Sequence, residues 1–378
     1  MDKELLQKEA LAKLEEYVNQ PSCTWDKDDA DAMSMLVARD FEALGMQVTR
    51  HEDEKFGATV EATFGSGKNR LVLNGHMDTV FPHHEWWPFR VEGNTAYGPG
   101  VMDMKGGVVV LYYAVREVLK KGLPADTQLT VIINPDEEIG SDSSHALLES
   151  RAKDAFAALF FEPMSPDFEM TKQRKGVLAF DVKCTGQRGH AGSAYLTNAS
   201  AIQQLCEVIN KLYTLRDDSR DLSINIGVID GGVAENIIAG EACARGETRF
   251  FDPKLRDEIE QKLLEIGSEP GIPGTTTTIT IGETGPAFKA DEKCDRLFEL
   301  AHGIAQKQGR EITAVSCAGA GDIGFVGLTG IAALDGFGII GAGAHTKNEN
   351  ADITSLVPQI ELAAELIETL LKNPDAVK

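Results

Sequence analysis

Short apolar runs in this chain end repeatedly in histidine or acidic residues, side chains that bind divalent metals and activate water. Leu71–Leu73 leads into Asn74, Gly75, His76, Met77 and Asp78. Val131–Ile133 leads into Asp136, Glu137 and Glu138, Leu159–Phe161 ends at Glu162, and Ala332–Ile340 leads to His345. If these runs are strands of an open α/β sheet, the groups converge on one rim, because ligands bind there outside the carboxyl ends of strands. His76 and Asp78 are two apart, which on an extended backbone puts both on one face. The carboxylate can then accept the second imidazole N–H and fix its tautomer. Glu137 and Glu138 point apart if extended, so one could bind metal while the other takes a proton from water. Asp103 follows the loop Gly98–Gly100 and precedes Lys105, Gly106 and Gly107 at a helix start. Each motif alone also has an ordinary reading: a satisfied structural histidine, a solvated acidic turn, a helix N-cap.

The elements that must position these groups follow from periodicity. Leu5–Val18, Ala30–Leu44 and Lys105–Lys120 read as helices, Gln47–Thr63 as a hairpin, and Leu71–Leu73, Gln128–Ile133 and Ala155–Phe161 as strands. That rhythm predicts an α/β fold with a mixed, mostly parallel sheet between helices. From Gly176 the order changes to strand Val177–Cys184, helix Ala199–Leu215, strands Leu222–Ile229 and Glu241–Phe251, helix Pro253–Ile266 and strand Thr275–Ile281. This βαββαβ series predicts an inserted, ferredoxin-like α+β domain over 174–285, interrupting an α/β domain made of 1–173 and 286–378. A helix over Ile353–Leu371 closes the chain.

Composition narrows the function classes. The 378 residues suffice for two domains at about 150 residues each. A formal charge of −22 disfavours nucleic acid and anionic membranes, which need a basic footprint. No apolar run reaches the roughly 18 residues of a membrane span, and no signal-peptide pattern is visible, so a cytoplasmic protein is expected. The six cysteines form no CxxC pair, which argues against a zinc ribbon, a thioredoxin motif or a disulfide framework. Gly319, Gly321 and Gly324 form a GxGxxG, but late in the chain and without a ribose-binding acid at the expected spacing. No GxSxG elbow points to a serine nucleophile. His83, His84, Trp86 and Trp87 form an aromatic loop expected to pack or to rim a cleft.

Together, NGHMDTV (74–80), YGPGVMDMKGG (97–107), the DEE of 136–138, FFEP (160–163), GQRGHAG (186–192), ENII (235–238) and GAGAHTKNE (341–349) resemble the M20 family of metallopeptidases and deacylases, particularly its glutamate carboxypeptidase-like branch. The resemblance implies two zinc ions per chain, with cobalt or manganese as substitutes. His76, Asp103 and Glu162 would hold one, and Asp103, Glu138 and His345 the other, each ion also sharing a water. Glu137 would be the general base, Asp78 would orient His76, and a cis peptide is implied at Asp103–Met104. The inserted domain would be a lid and dimerisation domain. His190 would reach the partner's site as an oxyanion donor, and Asn236 and Arg249 would contact the substrate. The implied substrate is a small peptide or N-acyl amino acid, cleaved at the amide next to a free carboxylate. An N-acyl amino acid deacylase of aminoacylase or desuccinylase type is the alternative, and an inactive metal-binding scaffold a remote one. Ser223 falls where glutamate-specific members have arginine, and Glu169 and Met170 fall about where they have lysine, so a glutamate preference is not implied.

Overall fold

The apolar runs form an eight-stranded sheet whose strands lie in the order Gln47–His51, Thr59–Gly65, Thr127–Asn134, Asn69–His76, Ala157–Phe160, Ala332–Asp335, Glu169–Arg174 and Thr313–Cys317. The computed structural model describes residues 2–378; Met1 of the first expected domain and the side chains of residues 283 and 284 lie outside it. The central strands pair in parallel, Asn69–His76 with Thr127–Asn134 and Ala157–Phe160, and the latter with Ala332–Asp335. The flanking pairs of Thr59–Gly65 are antiparallel, as is the contact of Asp335 with Thr171. The result is the mixed α/β architecture expected from the sequence.

Leu71, Leu73, Leu129, Val131, Ile133, Leu159 and Leu334 are fully buried, as parallel strands require. Each contributes about 1.5–3 kcal/mol of burial. Helices Lys105–Lys121 and Leu356–Lys372 pack on each other, and Lys3–Asn19 packs on both. A Cβ at Gly107 would lie 1.9 Å from the Phe161 carbonyl oxygen, so glycine is what lets the first turn of helix Lys105–Lys121 approach that strand end.

Two local expectations fail. The run Ala332–Ile340 is a strand only over Ala332–Asp335, because Gly336 turns the chain with φ 99. The chain then enters a small four-stranded sheet, where Gly341–Ala342 pairs with Asn350–Asp352, and His345 sits in the turn between them with φ 62. Glu137 and Glu138 are not extended but lie in the 3-10 turn Glu137–Ile139, closed by Gly140 in the left-handed region. Among the described residues, no helix is long and apolar enough to cross a membrane.

The chain divides into two compact units. The first comprises Met1–Gln173, Ala290–Cys317 and Gly321–Lys378. The second comprises Arg174–Lys289 and Ala318–Ala320, and so includes residues 286–289 and 318–320 beyond the span read from the sequence. It is built on an antiparallel sheet in the order Ser223–Gly231, Glu241–Phe250, Gly176–Thr185, Thr276–Gly285. Leu178, Phe180, Val182 and Cys184 alternate with more accessible neighbours, the pattern of a sheet covered on one face. Helices Ala201–Tyr213 and Leu255–Ser268 supply that cover with Leu205, Val208, Ile259 and Leu263.

Candidate metal centre

Strand register gathers the site. His76 is opposite Asn134, Asn74 opposite Phe160, and Phe160 opposite Asp335, so the parallel strands end level with one another. The residues just past those ends therefore emerge together, as expected for the carboxyl edge of such a sheet.

Asp78 is fully buried and does more than orient His76. Its Oδ1 lies 3.2 Å from His76 Nδ1 and accepts the Glu137 N–H at 3.3 Å. Its Oδ2 accepts the Glu138 N–H at 3.2 Å and the Thr24 hydroxyl at 2.7 Å. One carboxylate thus fixes both the first imidazole and the backbone of the acid pair.

His76 is 1% exposed, and its Nε2 faces Asp103 Oδ1 at 3.3 Å, Glu162 Oε1 at 3.6 Å and Glu137 Oε2 at 3.9 Å. His345 Nε2 lies 3.0 Å from Glu138 Oε2 and 3.4 Å from Asp103 Oδ2. Asp103 therefore offers one oxygen to each imidazole. It is not a helix cap, since the cap position of helix Lys105–Lys121 is Met104. The Asp103–Met104 peptide is cis, as the resemblance implied.

Burial opposes ionisation throughout the cluster, and ion pairing outweighs it at Asp103 and at the two imidazoles. Burial, aided by the nearby carboxylates of Glu162, Asp322 and Glu138, holds the Glu137 carboxyl well above the usual range, with His76 opposing. Burial likewise raises Glu138, against the hydrogen bond to His345. Burial would raise Asp103 too, but the two imidazoles hold it below the usual carboxylate range. His76 is raised well above an ordinary imidazole, since Asp103 and Asp78 outweigh its burial. His345 is pushed up to about 10 by Asp103 and Glu138. Such a pocket favours cations in place of protons.

The donor set fits divalent metal ions. His76 Nε2 and Glu138 Oε1 are buried without an aligned hydrogen bond, although oxygens converge on the imidazole. His76, Asp103 and Glu138, and separately His76, Glu137 and Glu162, bring ligand atoms within 4.8 Å of one another. Carboxylate oxygen and imidazole nitrogen suit zinc among other transition metals.

The partners of several supporting residues escaped the sequence reading. Asp335 Oδ1 accepts the Glu162 N–H at 3.2 Å. Asp322, the acid within the GxGxxG, accepts from Asn134 Nδ2 at 2.7 Å and from the Ser141 hydroxyl; burial pushes its carboxyl up to about 6. Glu349 accepts three backbone N–H groups, from Gly100, Met102 and Asp103. Lys105 is fully buried, donates to the Tyr17 and Gln20 carbonyls at 3.0 and 2.6 Å, and lies 4.5 Å from the Trp86 ring centre. Trp87 packs edge-on against Phe81 and His83 bonds Asp29 at 2.6 Å, so much of the aromatic loop is used in packing. The available signals were an acid in a glycine motif, an acid ending an apolar run, and the last residue of GAGAHTKNE; none named its partner.

The three remaining residues belong to the second unit. His190 lies in the short strand Gly189–His190 opposite Ile237, is exposed, and accepts the Gly192 N–H on Nδ1 at 3.1 Å. Asn236 is brought beside it, its carbonyl accepting the Ala191 N–H at 3.0 Å. Arg249 is already engaged, with Glu247 at 2.7 and 3.3 Å and the Ala318 carbonyl at 2.9 Å.

Residues 72–369 match the profile of peptidase family M20/M25/M40. The chain is 29% identical over 368 residues to carboxypeptidase G2 of Pseudomonas sp. strain RS-16, covering 95% of this chain and 89% of that protein. It is 26% identical to succinyl-diaminopimelate desuccinylase of Gluconacetobacter diazotrophicus, covering 96% and 97% of the two chains. The fold is shared with aminopeptidase PepT of Bacillus cereus, with TM-score 0.80, 22% identity and coverage of 96% and 98%. The acid and imidazole cluster on the sheet rim thus stands in a metallohydrolase, and the chain belongs to peptidase family M20/M25/M40.

Proposed function

We propose that this protein is a zinc-dependent hydrolase cleaving the amide bond next to a free carboxylate, a carboxypeptidase acting on small peptides or N-acyl amino acids. The observation that carries the reading is the convergence of His76, Asp103, Glu137, Glu138, Glu162 and His345 on one rim, with the buried His76 Nε2 facing oxygens at 3.3–3.9 Å. Likeness to carboxypeptidase G2 over 95% of the chain supports the reaction type.

In this reading His76, Asp103 and Glu162 hold one ion, and Asp103, Glu138 and His345 the other. Two zinc ions bound there supply Lewis-acid polarisation of the carbonyl and a lowered pKa for water. Glu137, whose ionisation is opposed by burial, takes the proton of the attacking water and returns it to the leaving amine. Asp78 keeps His76 in one tautomer and holds the Glu137 backbone.

The second unit serves as a lid and dimerisation domain. Support comes from the edge position of strand Ser223–Gly231, which leaves one side for a second copy. The exposed His190 donates to the oxyanion in the partner's site, with Asn236 at the carbonyl and Arg249 at the carboxylate of the substrate. Arg249 must share its guanidinium with Glu247 to do so. Six free thiols suit the cytoplasm. The desuccinylase likeness over 96% of the chain favours a second reading, N-acyl amino acid deacylation at the same site.

A hydrolysis screen of dipeptides and N-acyl amino acids with varied C-terminal residues tests both readings. The expected result is release of a free amino acid that a chelator abolishes and zinc restores. Turnover undiminished after metal removal, or no hydrolysis of either class by zinc-loaded protein, would refute the proposal.

A further inference from the structure

His345 and Asp103 come from different loops, yet their side chains meet at 3.4 Å. Neither lies on a strand, although the small sheet joins the segments beside them, with Asn350 opposite Tyr97. Beyond that sheet, a side chain ties one loop directly to the other. Glu349, four residues after His345, is fully buried and turns its carboxylate into the loop ending in Asp103. Oε2 accepts the Gly100 N–H at 3.0 Å, and Oε1 accepts the Met102 and Asp103 N–H groups at 2.9 and 3.1 Å. Gly100 has φ 71, and a Cβ there would lie 2.7 Å from Thr79 Cγ2, so this residue is glycine for both conformation and space. Successive N–H groups closing on one anion form a nest that holds a loop in one shape.

We propose that Glu349 is the positioning residue of the His345 half of the centre: by binding the Asp103 loop to the His345 loop it sets the gap that the second ion fills. This rests on reading the cluster as a two-metal centre. The carboxylate suits the task because both of its oxygens accept. An amide would turn an N–H against at least one backbone N–H, losing a bond and leaving a buried donor unpaired.

The test is titration of metal-free protein with Co2+, read by d–d absorption and by bound cobalt after gel filtration. Wild type should bind two ions in two resolvable steps. Glu349→Gln should weaken the step lost in His345→Ala by about 10–100-fold, leave the other step within about threefold, and alter the spectrum of the affected ion only. Glu349→Asp, which keeps the charge on a shorter arm, should fall between and covers the case in which the glutamine variant does not fold. Glu349→Gln added to His345→Ala should cost nothing further at the remaining step. Equal weakening of both steps, or unchanged steps and spectrum in Glu349→Asp and Glu349→Gln alike, would overturn the inference. A wild type that binds no cobalt would overturn the metal reading beneath it.

Discussion

The two imidazoles of the cluster are built in opposite ways. His76 ends a central parallel strand, is 1% exposed, and has Asp78 at its second nitrogen. His345 sits at φ 62 in a turn and is 54% exposed, reaching the cluster only through side chains on other elements. The strand half is organised before any ion arrives, because sheet register and core packing already hold it. The loop half hangs from the small sheet and the Glu349 contact and stays open to solvent. If two ions bind as proposed, they should therefore differ in affinity and exchange, the His76 position being the tighter.

The sharpest way to separate chemistry from metal holding is Glu137→Gln. It should lower kcat by about 10²–10⁴ while both halves still load, measured by turnover and metal content. Loss of metal from either half would make Glu137 a ligand first. Asp78→Ala should break the asymmetry from the strand side, weakening the His76 position by about 10–100-fold in a competition titration and narrowing the gap between the two sites. If the His345 position weakened more, the contrast drawn above would be reversed.

Away from both halves, Glu61 is buried and pairs with Arg151 and His51, which hold its carboxyl below the usual range despite burial. Its stabilisation is present above the unfolded value near 4.5 and is lost as pH falls through the lower folded value. Glu61→Gln should cost about 1–3 kcal/mol at pH 7 in denaturant unfolding, lose that cost in acid, and leave the ratio of metal affinities unchanged. The smallest effect is expected at His345 in metal-free protein. Its folded pKa of about 10 lies above the unfolded 6.5, so its contribution is full below pH 6.5 and lost as pH rises through 10. Solvent screening limits this to about 1 kcal/mol. His345→Gln should remove that part of the alkaline loss in thermal unfolding, and an unchanged pH profile would count against the pairing with Asp103 and Glu138.

The same contrast marks what the sequence made legible. His76, the acid pair and Glu162 follow strands whose apolar runs are plain, so their meeting on one rim could be inferred from register rules alone. The run to His345 was misread because apolar residues continue past Gly336, where only the positive φ ends the strand. The extended reading of Glu137 and Glu138 failed for a related reason: Asp78, just past the end of strand Asn69–His76, draws both N–H groups into a turn. The partners of Asp322, Asp335 and Glu349 stayed hidden since each acts on a backbone or side-chain group more than 150 residues away in sequence. Local pattern shows which residues end a strand, and long-range hydrogen bonds decide what holds them there.

The central claim is an unequal two-ion site in which both halves are needed for hydrolysis. Its most direct test is a calorimetric zinc titration of metal-free protein, with amide hydrolysis followed in parallel. The account predicts about two ions per chain in two steps of different affinity, with activity completed by the weaker step. A single binding step that restores full activity, or hydrolysis in the metal-free protein, would contradict it.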